Sequence, residues 1–331
     1  GIVYQSLGEY QQAIAYLEQH LAIAREIGDR QAEGNALGNL GNAYQSKGDY
    51  DLVEKFYLTA LELKKDLLKY DSPEIAAMLN NLASLYYSQS RYSEAEPLYQ
   101  QALAMRQHLF EGDHPDVANS LNNLAGLYYS QGRYNEAEPL YLQALSILRQ
   151  SLPENHPLLA TNLNNLAGLY RTQGRYSEAE PLYLQALSIL RQSLPENHPN
   201  IASNLNNLAG LYESQGRYSE AEPLYLQALS IDRQSLPENH PSIATDLNNL
   251  ANLYNSQGRY SEAEPLYLQA WEIFQRSLGA EHPNTVGTRR NLAIFWMAAI
   301  NKNGADIEVL QNNPLFLEIM REFLPENLPD E

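Results

Sequence analysis

The chain has 331 residues, no cysteine, and 40 acidic against 22 basic side chains, a formal net charge of −18. That balance argues against nucleic acid and anionic membrane as partners, since both reward basic patches. The lack of cysteine excludes disulfides and thiolate metal sites and leaves the compartment open.

The longest apolar run, Leu292–Ile300, is about half of the ~20 residues that a membrane helix needs. No secretory signal is present, and a cytoplasmic location is expected. The opening GIVYQSLGEY has no initiator Met and reads as the inside of a helix. The chain is therefore expected to be a piece of a longer protein, with the native N-terminus and any targeting segment missing.

Residues 1–30 read as a truncated first repeat: a partial helix over 1–7, a helix near 10–27, and the turn Ile27-Gly28-Asp29-Arg30. From Gly48 onward one period of 42 residues governs the chain, through Ser90 (in place of Gly), Gly132, Gly174, Gly216 and Gly258. Self-similarity at such a period is the signature of a solenoid, in which each unit packs only on its neighbours. The units are 31–72, 73–114, 115–156, 157–198, 199–240 and 241–282, followed by a degenerate repeat and capping helices over 283–331.

Each unit reads as two helices. In the unit 115–156, Leu121, Leu124, Ala125 and Tyr128 form one apolar stripe of helix A, and Gly132 ends it. Helix B carries Ala137, Leu140, Tyr141, Ala144, Leu145 and Leu148 at helical spacing. Its start is expected to be a capping box, Ser177-Glu-Ala-Glu180 in the next unit, with Tyr176 and Pro181 as the flanking staple. Helix B stops at Leu194-Pro195, and His198-Pro199 opens the following helix A, where proline suits the first position. After a helix A near 284–300 a last helix starts at Asn313-Pro314, with Leu315, Phe316, Ile319, Met320, Phe323 and Leu324 on one face. It is expected to close the open end of the stack; the alternative is a docking helix for a partner.

The pattern Leu124-Ala125-x-x-Tyr128-x-x-x-Gly132-x-Tyr134-x-x-Ala137-x-x-x-Tyr141-x-x-Ala144-Leu145 resembles the tetratricopeptide repeat. The 42-residue step, the NNLA and EAEPLY segments and the turns Asp113-His114-Pro115 and Asn155-His156-Pro157 are similar to the kinesin light chain variety. The resemblance covers about residues 1–300. It implies an all-α, right-handed superhelical solenoid of antiparallel helix hairpins, with helices A lining a concave groove that holds an extended peptide or a partner protein. Bacterial chains with such repeats often join them to nucleotide-binding signalling domains, and no such domain is in this sequence.

Carried over position by position, the groove residues are Asn35, Asn39 and Asn42, then Ala77, Asn81 and Ser84. Asn119, Asn123 and Gly126 follow, then Thr161, Asn165 and Gly168, Ser203, Asn207 and Gly210, and Thr245, Asn249 and Asn252. One turn later come Tyr87, Tyr129, Arg171, Glu213 and Asn255. A side-chain amide both donates and accepts, so a column of Asn can pair with an extended backbone whatever its sequence. Asn is a poor helix former, so the pairs Asn80/Asn81, Asn122/Asn123, Asn164/Asn165, Asn206/Asn207 and Asn248/Asn249 need a reason. One is ligand contact, with at least one Asn of each pair facing the partner. The other is a ladder of amide bonds between adjacent helices A. Both can hold, because neighbouring residues on a helix point about 100° apart.

The units starting at Pro157 and Pro199 differ only at Leu158/Asn200, Leu159/Ile201, Thr161/Ser203, Arg171/Glu213, Thr172/Ser214 and Leu190/Asp232. The column Tyr87, Tyr129, Arg171, Glu213, Asn255 is thus expected to read partner side chains while the amides hold the backbone; drift at an exposed site is the alternative. Helices A of the units from 115 to 282 contain no lysine, so the carboxylate clamp of chaperone adaptors is not expected. An acidic ligand is disfavoured by the charge, and a neutral or basic segment is favoured.

Catalytic chemistry is not expected. His114, His156, His198, His240 and His282 recur at the period, so they lie about 10 Å apart by helix packing distances, too far to share one zinc. They are expected to stabilise turns. Glu pairs such as Glu136/Glu138 are expected to serve helix capping. No phosphate-binding glycine loop, nucleophile–base pair or cofactor site stands out. The reading is a peptide-binding scaffold, not an enzyme. The alternatives are a structural module that self-associates end to end through its N-terminus, or the sensor arm of a larger multidomain signalling protein.

Overall fold

The computed structural model describes residues 10–47, 50–68, 70–110, 113–301 and 314–323. Among them are fifteen α-helices and no strand. The chain divides into two compact units, residues 1–173 and 174–331. The partial helix expected over 1–7, the turn at Gly48 and residue Leu324 lie outside the described residues.

The first unit contains α1 (Tyr10–Glu26), α2 (Arg30–Lys47), α3 (Tyr50–Leu68), α4 (Pro73–Ser88), α5 (Tyr92–Leu109), α6 (Pro115–Ser130), α7 (Tyr134–Ser151) and α8 (Pro157–Thr172). Hairpins α2–α3, α4–α5 and α6–α7 are joined by α3 on α4, α5 on α6 and α7 on α8. Helices A also touch each other, α4 with α6 and α6 with α8, while α3, α5 and α7 make no comparable approach. Helices A therefore form the tighter, inner layer of this unit. Its core is the expected stripe: Leu121, Leu124, Ala125, Ala137, Tyr141, Ala144, Leu145 and Leu148 are buried, each such leucine contributing about 1.5–3 kcal/mol.

The second unit contains α9 (Tyr176–Ser193), α10 (Pro199–Ser214), α11 (Tyr218–Ser235), α12 (Pro241–Ser256), α13 (Tyr260–Leu278), α14 (Pro283–Asn301) and α15 (Pro314–Phe323). Its hairpins are α10–α11 and α12–α13, and α10 again touches α12. The last helix packs on α14. Phe316, Ile319 and Met320 are buried there, and the Phe316 ring stands edge-on to Trp296 at 5.3 Å. Arg289 pairs with Glu318 and Glu322 beside them.

Local chemistry explains the helix ends. The Nδ1 atoms of His114, His156, His198, His240 and His282 each accept the backbone N–H two residues on, at 3.1–3.2 Å. The recurrent histidines are thus helix caps, satisfying donors that the first turn leaves open. Gly132, Gly174, Gly216 and Gly258 take φ of 72–74°, and Ser90 accepts φ 59° in glycine's place.

The expected capping box at helix B is overturned. Helix α9 begins at Tyr176, capped by Arg175 with no side-chain capping bond. Its glutamates are engaged elsewhere. Arg175 holds Glu178, and Glu180 accepts from Tyr212 Oη at 3.0 Å and from Arg217 at 2.8 Å. The arrangement recurs: Arg133 bridges Glu96 and Glu136 over the Tyr128 ring, and Arg259 bridges Glu222 and Glu262 over Tyr254. Arg133, Arg217 and Arg259 each tie their own helix B to the preceding one. Trp296 keeps the scheme at α14, donating Nε1–H to Glu264 at 2.8 Å.

Candidate functional site

The half-exposed side of helices A in each unit carries the candidate residues. In the first unit Asn39, Asn42, Asn81, Tyr87, Asn122, Asn123, Tyr129, Asn164, Asn165 and Arg171 are all half-buried. In the second, Asn206, Asn207, Glu213, Asn248, Asn249, Asn252 and Asn255 are half-buried too.

The amides bond one another across repeats. Asn123 Nδ2 donates to Asn80 Oδ1 at 2.9 Å, Asn165 Nδ2 to Asn122 Oδ1 at 3.0 Å, and Asn291 Nδ2 to Asn248 Oδ1 at 3.0 Å. Where Gly38 replaces the first Asn of a pair, Asn81 Nδ2 reaches Asn42 Oδ1 instead, at 3.3 Å. The first Asn of a pair therefore accepts from the second Asn of the next repeat.

One rung is different. Asp246 stands where Asn162 stands two units earlier. Asn162 Nδ2 and Asn165 Nδ2 both donate to Asn122 Oδ1. A carboxylate offers only acceptors, so Asn206 turns its Nδ2 to Asp246. Its own Oδ1 is left buried without a partner, and no bond joins it to Asn249.

The variable column also ties helices together where it is tyrosine. Tyr87 Oη lies 2.8 Å from Ser130 Oγ, and Tyr129 Oη lies 2.8 Å from Thr172 Oγ1. Glu213 instead accepts from Tyr225 Oη at 2.8 Å. Beneath the column, the buried tyrosine of helix B, Tyr57 or the last residue of an EAEPLY segment, rises toward helix A. Tyr57 donates to Asn42 and Tyr267 to Asn252, each at 2.6 Å. This tyrosine layer was visible in the sequence only as core; its upward-pointing hydroxyls were not. Burial pushes the Tyr99 phenol up to about 12, with Ser84 as its hydrogen-bond partner.

No group of three or more His, Cys, Asp or Glu side chains among the described residues is disposed to hold a metal ion. No helix among them is long and apolar enough to cross a membrane.

Stacked helix hairpins with dense neighbour contacts and an amide-rich inner face make this an all-α repeat solenoid. Residues 1–66, 74–150, 116–192 and 158–234 match a family model described as tetratricopeptide repeat, and 244–284 match a second model of that description. The chain belongs to the tetratricopeptide repeat family, with repeats of the kinesin light chain kind, and is a protein–protein interaction scaffold; proteins of this family are generally non-catalytic.

Similar solved structures include the nearly identical TPR-like repeats of a protein named as a kinesin light chain from Podosopora anserina. It is 28% identical, with 62% of this chain and 98% of that one covered and a TM-score of 0.51. BtubC (BKLC) from P. vanneervenii is 23% identical, covering 83% and 94% with a TM-score of 0.53. The Rap protein complexed with competence and sporulation factor is 15% identical, covering 97% and 92% with a TM-score of 0.61. The comparison with curated proteins gives no match.

Proposed function

We propose that this scaffold captures an extended, neutral or basic segment of a partner protein along the Asn-lined side of its helices A. The amides hold the segment's backbone, and Tyr87, Tyr129, Arg171, Glu213 and Asn255 select its side chains. The observation that carries this reading is the hydrogen-bond capacity left over from the ladder. Asn123 and Asn165 each give one N–H to the preceding repeat. An amide has two donors and an acceptor oxygen, so each keeps an N–H and its Oδ1 for a passing peptide unit. Ladder bonds fix the orientation of those groups before any ligand arrives, which lowers the ordering cost of binding. The likeness in fold to a Rap protein complexed with competence and sporulation factor is compatible with a bound partner. The net charge of −18 favours lysine- or arginine-bearing segments and makes their binding weaken with salt.

The test is selection of peptides from a random dodecapeptide display library on the full chain, followed by affinity measurement in solution. Peptides so found should bind the N123A/N165A double variant at least tenfold more weakly, about 1 kcal/mol for each lost amide contact. Circular dichroism of the variant guards against simple unfolding. Peptides indifferent to both substitutions, or a selection that yields none, would reject the proposal.

The alternative of end-to-end self-association rests on residues 1–9, which lie outside the described residues.

A further inference from the structure

The tyrosine layer under the inner face has one member that its own chain does not satisfy. Tyr141 is only 3% exposed, and its hydroxyl makes no hydrogen bond among the described residues. Equivalent tyrosines are served from helix A or from the variable column: Tyr57 by Asn42, Tyr99 by Ser84, Tyr225 by Glu213 and Tyr267 by Asn252. At the corresponding place above Tyr141 stands Gly126, which offers no side chain. A Cβ added there would lie 3.6 Å from the Tyr141 hydroxyl, so nothing but glycine's missing side chain separates that hydroxyl from the inner face.

Burial pushes the Tyr141 phenol well above its ordinary range, and the phenols of Tyr87 and Tyr129 lie close enough to push it further. The hydroxyl is therefore a neutral donor at every working pH. Asn123 and Tyr129 lie three residues to either side of Gly126 and share its helix face. The hydroxyl oxygen keeps a small accessible surface, so it is open to the inner face and not sealed in the core. A water held by one such donor is weakly placed and readily displaced by a better acceptor.

We infer that the Tyr141 hydroxyl, reached through the gap at Gly126 between Tyr87 and Tyr129, is a donor site for a backbone carbonyl of an extended peptide crossing α6. This rests on the peptide-capture reading above and adds a fixed anchor point to it. The occupant is a neutral carbonyl and not a carboxylate: the Tyr141 hydroxyl is an uncharged donor, and the chain as a whole repels anions. The anchor also sets register. Successive helices A stand about 10 Å apart, close to three residues of extended chain. A carbonyl fixed over α6 therefore determines which residues of the peptide meet Tyr87 on one side and Arg171 on the other.

Three variants test this with peptides selected from a random dodecapeptide library on the unaltered full chain. Y141F removes the donor. G126N installs the side chain that serves the same tyrosine in α2 and α12, so it should fold and close the gap. Y99F is the control, since Tyr99 already has Ser84. The selected peptides should bind Y141F about fivefold more weakly, the worth of one neutral hydrogen bond, G126N more weakly still, and Y99F unchanged. Peptides that lose affinity for N123A/N165A yet bind Y141F and G126N within twofold of the original would overturn the anchor and leave the capture reading standing. A selection that enriches nothing, or peptides indifferent to N123A/N165A, removes the capture reading and the anchor with it.

Discussion

The interface between α11 and α12 makes a quantitative demand. Asp232 is 2% and Asp246 1% exposed, and the two carboxyl groups lie close enough to act on each other, with Asp232 Oδ1 and Asp246 Oδ2 left without a hydrogen-bond partner. In the units upstream the same two positions hold Leu148 with Asn162 and Leu190 with Asn204. Burial pushes Asp232 up to about 6 and Asp246 up to about 7, and in Asp246 the facing Asp232 adds to the rise. Two such groups close together resist ionising at once, so the pair keeps a proton until the pH rises through about 7. The charged or dipolar groups facing it are the Asn206 amide from α10 and, on α11, Arg233, whose charge acts weakly on Asp246; no ionisable group of α10 or α13 is among the groups that act on either carboxyl.

The unfolded chain releases that proton near pH 4 and the folded chain near pH 7. Between those values the folded state binds the extra proton, so stability falls as pH rises. Three units of one proton correspond to about 4 kcal/mol. The double variant D232L/D246N recreates the pairing of the upstream units. In urea titrations followed by circular dichroism it should exceed the original chain by about 4 kcal/mol at pH 8 and by little at pH 4.5. Because a repeat array can open locally, amide hydrogen exchange in α11 and α12 should show the same pH trend. The single variant D246N should also let Asn206 turn back and bond Asn249, protecting that side-chain amide in NMR. A gain independent of pH would mean that the pair carries no shared proton, and the reasoning fails.

Three smaller effects follow from the helix ends and the clamps. S90G relieves a left-handed serine where the sibling turns use glycine and should stabilise by about 1 kcal/mol in a urea titration. His240, whose burial lowers its proton affinity, caps α12 only when Nδ1 is unprotonated. Its contribution is present above about pH 6.5 and is lost as pH falls below that; H240N, with a capping amide that does not titrate, should remove this acid-side loss of about 1 kcal/mol. R217M deletes the bridge between Glu180 and Glu220 and the contact over Tyr212. Its Tm should drop, by less in 0.5 M than in 0.02 M salt; a salt-independent drop would assign the loss to packing alone.

Periodicity made the helices, the glycine turns and the histidine caps legible, because each depends on residues close together in one repeat. Ser90 could be read as a stand-in for glycine for the same reason. Helix B's start was misread, since Ser177-Glu-Ala-Glu180 satisfies the capping-box pattern locally while its glutamates are claimed by Arg175, Tyr212 and Arg217. The signal was nevertheless present: the Arg after each turn recurs at the period, five residues beyond the tyrosine on which it stacks. The exchange of Leu190 for Asp232 was visible too, but its partner was not. That Asp232 meets Asp246 is a fact of stacking between repeats, and only the same spacing in Arg106–Ser120, 2.8 Å apart, could have hinted at it.

Repeats this similar act as an internal mutagenesis series, and two of the positions that vary bear on the inner face. One is the half-exposed column Tyr87, Tyr129, Arg171, Glu213, Asn255 over the tyrosine layer. The other is the buried junction between repeats, where Lys64, Arg106, Leu148, Leu190, Asp232 and Phe274 occupy one position in turn. Lys64 reaches Asn35 and Arg106 reaches Ser120, so each charged occupant has found its own partner. Asp232 has found another acid, and the consequence reaches the inner face: Asp246 turns Asn206 away from the ladder and leaves Asn249 without its rung. A junction substitution and an inner-face amide are thus coupled through one side chain. Variation at the buried position is for that reason not neutral for the surface above it, and the Asn249 amide should respond to D246N even though the two side chains make no hydrogen bond with each other.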